Sequence, residues 1–137
     1  MNLKAKILLR ALSFFLLLTA ILNSEIAFAQ ATVTDKIEEV YGPINGEFFR
    51  NNPDLIPFFT YLLENRVQYL NSPLESNEKY EKLANIPLNN KYNTNLKRDI
   101  VFDAVHFNPL KYQLNFYSRF TQIYRIDNQT LIVINPQ

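Results

Sequence analysis

The amino terminus decides how much of this chain is available to fold. Lys4, Lys6 and Arg10 precede an uncharged run from Ala11 to Leu22, centred on Phe14, Phe15, Leu16, Leu17 and Leu18. A polar stretch, Asn23-Ser24-Glu25, follows, and then Ala27-Phe28-Ala29. A positive segment, an apolar core and small residues at A-x-A spacing make a secretory signal peptide, cut after Ala29. A spanning helix needs about 20 consecutive apolar residues, and this run, bounded by Arg10 and Glu25, has about 12. A lipid anchor at a bacterial cleavage site needs a cysteine, and the chain has none. The expectation is a cleavable leader over 1–29 and a single small α+β domain over 30–137, exported to the periplasm, the cell envelope or the medium.

Removing the leader changes the charge. The chain has 14 basic and 13 acidic residues; the leader takes Lys4, Lys6 and Arg10 from the first and Glu25 from the second, leaving 11 against 12. With that balance and no Lys/Arg run, binding to nucleic acid or to an anionic bilayer has no electrostatic basis. No membrane span is expected after cleavage. Without cysteine no disulfide framework supports an exported fold. Stability must come from packing, with the Phe and Tyr residues as the main source.

Periodicity then divides the folding part. Thr34 can cap a short helix over Asp35–Tyr41 that places Val33, Ile37, Val40 and Tyr41 on one face. Gly42 and Pro43 stop it, and Asn45-Gly46 marks a turn. Asn52 as cap, Pro53 at the first position and apolar residues at helical spacing predict a long helix over Asp54–Leu70, in which Pro57 is awkward. Its apolar arc is wide enough to be the centre of the core or partly an interface. Ser72-Pro73-Leu74-Glu75 has the form of a capping box for a third, solvated helix over Pro73–Ala84. An asparagine-rich connector covers Asn89–Asn95.

From about residue 100 the period becomes two. Tyr112, Leu114 and Phe116 alternate with Gln113, Asn115 and Tyr117. Two further runs, Gln122–Ile126 and Leu131–Ile134, flank Asp127-Asn128-Gln129-Thr130. Asn128-Gln129-Thr130 matches a glycosylation sequon but is read as a turn. Together these predict two to three helices followed by an antiparallel β-meander of about three strands, with the 54–70 helix lying across it. Leu131–Ile134 is apolar on both faces, so both faces need cover.

Few routes to catalysis remain. Without cysteine there is no thiol nucleophile or thiolate metal site, and two glycines cannot build a phosphate-binding loop or a nucleophile elbow. His106 is the single histidine, and Asp103 three residues before it would share a helical face. That pair could make a general base if a third polar group converges on it. Otherwise His106 packs beside Phe102 and Phe107 with one hydrogen bond. No spacing singles out a pair of carboxylates for glycosidic cleavage; Glu47 with Asp99 or Asp103 is an arbitrary choice. No cofactor or metal is expected.

The most informative surface is the aromatic-basic stretch from Lys111 to Arg125, with Tyr112, Tyr117, Arg119, Tyr124 and Arg125 as the candidate binding residues. Exposed Tyr and Arg are the residue types of interface hot spots and of sugar-stacking platforms. Phe107-Asn108-Pro109-Leu110-Lys111-Tyr112, Phe116-Tyr117-Ser118, Tyr124-Arg125-Ile126-Asp127 and Leu131-Ile132-Val133-Ile134 resemble the tails of small uncharacterised exported proteins of Gram-negative bacteria. That resemblance covers about 30 residues and implies a cell-envelope or extracellular context, with no activity attached. The functional expectation is a non-catalytic interaction module for a protein partner or a cell-envelope component. The alternatives are an enzyme using Asp103 and His106, or an assembly subunit packing through the 54–70 helix. Amino-terminal sequencing of the exported protein is expected to begin Gln30-Ala31-Thr32; a sequence beginning within 1–20 would show a retained anchor.

Overall fold

The computed structural model describes residues 32–73 and 78–137; the leader and the first part of the predicted third helix lie outside them. Residues 32–41 form α1, which buries Ile37 and Val40 as its spacing requires. The helix ends where Gly42 takes φ +85°, a left-handed conformation that a side chain would strain, and Gly42 N donates to Glu38 O. Gly46 is needed for a different reason: a Cβ there would come within 2.8 Å of Pro43 O. A short helix that the sequence pattern did not announce, α2 (Glu47–Asn51), follows and buries Phe49.

The long helix expected over Asp54–Leu70 is two elements. Helix α3 covers Leu55–Tyr61, and a π-helical turn over Leu62–Arg66 unwinds it. Val67–Asn71 is then the strand β1. Pro57 stands third in α3, where an amide has no intrahelical acceptor, so it starts the helix without kinking it. Beyond Arg66 the β-branched Val67 and the aromatic Tyr69 suit a pleated surface, and pairing with a buried strand overrides the helical spacing.

That buried strand is β4 (Thr130–Ile134). The remaining strands are β2 (Glu81–Lys82) and β3 (Gln122–Arg125), and the sheet order is β1-β4-β3-β2. β4 runs antiparallel to both neighbours, whereas the two-residue β2 lies parallel to β3. The fold class is therefore α+β, with helices preceding a four-stranded mixed sheet in place of a three-stranded antiparallel meander. Tyr69, Ile132 and Tyr124 register across the core face, and Leu70, Leu131 and Arg125 across the other. Asp127 Oδ1 accepts from Gln129 N and Thr130 N, which makes the sequon segment the turn between β3 and β4.

Two other expectations change. In the region of the third helix, residues 78–80 turn, 81–82 enter the sheet and Leu83–Asn85 form a 3₁₀ turn. Residues 78–84 have too little apolar content to hold a helix, and among the described residues of the stretch only Leu83 is buried. Tyr112, Leu114 and Phe116 are buried and Gln113, Asn115 and Tyr117 exposed, as period two demands. Yet the stretch is not a strand of the sheet: it follows a 3₁₀ turn at Pro109–Lys111 and touches Leu88 through one isolated bridge at Tyr112.

Arg66 fastens these parts together. It is buried; its Nε donates to Asn135 O at 3.0 Å, its Nη2 to Phe116 O at 2.8 Å, and its own carbonyl accepts from Asn135 N. Substituting Arg66→Ala leaves two carbonyls without a charged donor. It is expected to lower the unfolding free energy by about 3 kcal/mol, read as a reduced urea midpoint at unchanged slope.

Candidate functional site

Asp103 and His106 do meet. The turn over 104–106 brings Asp103 Oδ2 within 2.6 Å of His106 Nδ1, and Asp103 Oδ1 accepts from Val105 N. The hydrogen bond to His106 and then the Val105 amide hold the Asp103 carboxyl below its ordinary range. The pair nevertheless stands in solvent, with side chains 79% and 53% exposed. His106 does not pack beside Phe102 and Phe107, which pack on each other and on Tyr69. No third polar group converges on the pair, and among the described residues no three His, Asp or Glu side chains gather. An exposed dyad of this kind can exchange a proton with water but cannot position a substrate.

The five candidate binding residues do not share one face. Tyr112 is buried, stacked on Phe107 at 5.8 Å, with its hydroxyl accepting from Asp99 N and the Arg98 guanidinium over its ring. Tyr124 lies on the core face of the sheet and Arg125 on the opposite one. Only Tyr117 and Arg119 stand exposed together. The reason is local: the chain turns between Phe116 and Thr121, so the alternation at 112–117 does not continue in phase into β3.

Around Tyr117 the structure assembles a patch that the sequence marks only in part. The Tyr117 ring lies flat on Phe58 of α3, centroids 5.0 Å apart and planes 5° from parallel. Tyr61, one helical turn after Phe58, is 59% exposed; Tyr117 is 61% exposed and Phe120 79%. Ser118 fixes the turn that presents Phe120, its hydroxyl accepting from Phe120 N and donating to Phe120 O. Asn115 Oδ1 accepts from Tyr117 N, and Gln122 Nε2 donates to Ser118 Oγ. Tyr117 and Phe120 are thus exposed on one hydrogen-bonded turn with Arg119 between them, and Tyr61 stands exposed on the helix whose Phe58 the Tyr117 ring covers.

A second feature was not legible in the sequence. Asn108, fully buried, caps the Pro109–Lys111 turn through Leu110 N and donates to Lys36 O and Glu39 Oε2 of α1. The turn aims Lys111 inward, where its Nζ meets Asp99 at 2.7 Å and Glu39 at 2.9 Å. Burial pulls the Lys111 pKa down, but its hydrogen bonds to the two carboxylates outweigh that and leave it above its ordinary value. Lys36 is shifted the other way, lowered by burial against the pull of Asp103, Asp99 and Glu39. Beside this cluster opens a cleft of about 260 Å³, with Arg98, Asp99, Phe102, Phe107, Tyr112 and Ile126 among its walls. Its members are up to 72 residues apart in the chain, and no local spacing announces such a junction.

No protein-family model matches the chain, and no curated protein or solved structure is similar to it. The reading of the site rests on its own geometry.

The tyrosines make the fold sensitive to alkali. Burial pushes Tyr41 up to about 12, against the hydrogen bond from Asn89, and raises Tyr69, Tyr112 and Tyr124 from their ordinary 10.0. These groups and Lys111 hold their protons more tightly when folded, so above pH 10 the unfolded chain loses protons first and stability falls. Lys36 alone acts in the opposite sense. The urea midpoint is expected to decline steadily from pH 10 towards pH 12, and Tyr41→Phe to make that decline shallower.

Proposed function

We propose that the folded part of the chain is a non-catalytic interaction module working outside the cytoplasm, and that it grips a protein partner through the aromatic patch around Tyr117. The leader at 1–29 supports the location, and the likeness of the tail to exported Gram-negative proteins agrees with it. The patch supports the activity. Clustered exposed rings are uncommon on a surface that meets only water, and Tyr, Phe and Arg held on a rigid base are what interface anchors require.

A protein partner fits this patch better than a glycan. Sugar platforms pair a ring face with free donors and acceptors that read hydroxyls. Here the polar side chains next to the rings, Asn115, Ser118 and Gln122, already bond to the backbone or to one another. What remains is mostly ring surface, edged by the Tyr61 and Tyr117 hydroxyls and the Arg119 guanidinium. The assembly reading through the 54–70 segment has less support, because most of its apolar arc packs into the core as part of α3, the π turn and β1. The enzyme reading has less still, given the isolation of Asp103 and His106.

The decisive comparison uses the wild-type protein and a Tyr117→Ala/Phe120→Ala double variant as bait against periplasmic, envelope and medium fractions. A discrete protein is expected with the wild type, its affinity falling by about 2 kcal/mol or more for the variant, with identical melting curves. Equal recovery by both baits, or retention on purified envelope glycan in its place, would refute the reading.

A further inference from the structure

Among the described residues one buried side-chain polar atom has no hydrogen bond, Asp99 Oδ2, and Asp99 is also a wall of the cleft. The oxygen is closed off from the cleft space, so an acceptor without a donor lies within the cleft wall and not at its surface. An ionised carboxylate is an acceptor only, and its strongest partners carry positive charge. Lys111 does not serve Oδ2: its ammonium bonds Asp99 Oδ1 and Glu39 Oε1.

The charged donors around Asp99 are all directed away from Oδ2. Asp99 and Glu39 share Lys111; Lys36 lies in the field of both and of Asp103, and makes no hydrogen bond to any of them. Arg98 is drawn aside by the carbonyls of Leu83 and Ile86 and lies over Tyr112, while Asp127 lines the cleft. The cations nearby are thus engaged or drawn aside, and none of them bonds Asp99 Oδ2; Asp103 has His106 as its own partner.

The rest of the cleft is apolar. Phe102, Phe107, Tyr112, Leu83 and Ile126 line it, and ring faces attract an ammonium as well as a hydrocarbon. Ile100 and Val101, directly after Asp99, are 98% and 79% exposed. Two aliphatic side chains standing in water beside an aromatic wall lack an apolar partner, and with so little packing their segment moves at low cost. At about 260 Å³ the space lies below that of drug-sized sites, which suits one ring on a short chain.

We propose that this cleft binds a small primary amine carried on an aromatic or aliphatic body. The ammonium donates to Asp99 Oδ2, and the body lies between the Ile100–Val101 rim and Phe102 and Phe107. Oδ2 has no surface open to bulk water, so entry shifts the rim segment outward before it closes on the ligand. The site is separate from the Tyr117 patch and stands or falls without it.

The test titrates the full chain at pH 7 with phenethylamine, 2-phenylethanol and 3-phenylpropanoate, read by calorimetry and by amide shifts over residues 99–102. Saturable binding is expected for the amine, about tenfold weaker binding for the alcohol, and none for the carboxylate. Asp99→Asn is expected to weaken amine binding by about tenfold. Should that variant fail to fold, Ile100→Ser/Val101→Ser, at positions outside the core, is expected to weaken binding several-fold with unchanged stability. Equal affinity for amine and alcohol, no saturable binding of any probe, or full affinity in a folded Asp99→Asn variant overturns the proposal.

Discussion

Strand β4 is bonded on both edges and buried on both faces, and the other elements are arranged by what that requires. Its side chains, Leu131 to Ile134, need apolar cover above and below, and its amides and carbonyls need a strand on either side. β3 meets one edge through a tight turn capped by Asp127. The other edge is met by β1, more than fifty residues earlier in the chain, and that pairing ends the helical run at Arg66. Ile132 and Ile134 then draw Tyr69 and Tyr124 against the buried faces of α1, α2 and α3.

With no cysteine to cross-link distant segments, three buried polar side chains act as the long-range ties. Arg66 joins the start of β1 to Phe116 and Asn135; Asn108 and Lys111 join α1 to the segment that carries the cleft. Each reaches across more than forty residues of sequence; Arg66 acts on backbone carbonyls, Lys111 on carboxylates and Asn108 on both. Ties of this kind cost desolvation and therefore hold geometry more than they add stability. One of them, Lys111, reaches the wall of the cleft through Asp99. Lys111 fixes one oxygen of Asp99 and leaves the other facing inward without a donor.

How much of this could be read from the residues depends on the range of the interactions. The end of α1 at its glycine stop and the β3–β4 hairpin follow from neighbours within a few positions, and they lie where spacing and turn chemistry place them, although α1 begins at residue 32 and so holds Thr34 inside it and not at its cap. The 54–70 segment misleads because helical spacing and strand composition coincide there, and only the distant β4 decides between them. At 112–117 the alternation reports burial correctly but not sheet membership, since a period of two describes an extended chain whether or not it pairs. The aromatic patch was half visible: Tyr117 and Arg119 belong to it, whereas Phe58 and Tyr61 arrive from α3. The Asp99 cleft was not visible at all, because its parts meet only in the folded chain.

The position of β4 in chain order has a consequence for how the molecule comes into being. The central strand is the last strand of the sheet to be synthesised; until residues 130–134 have emerged β1 has no partner strand and β3 has only the two-residue β2. Earlier segments have short helices and a five-residue strand, too little to close a core by themselves. A nascent chain therefore stays open until the last strand arrives, and then folds through contacts of long sequence separation, which form slowly. Late closure of this kind keeps the chain open through most of its synthesis.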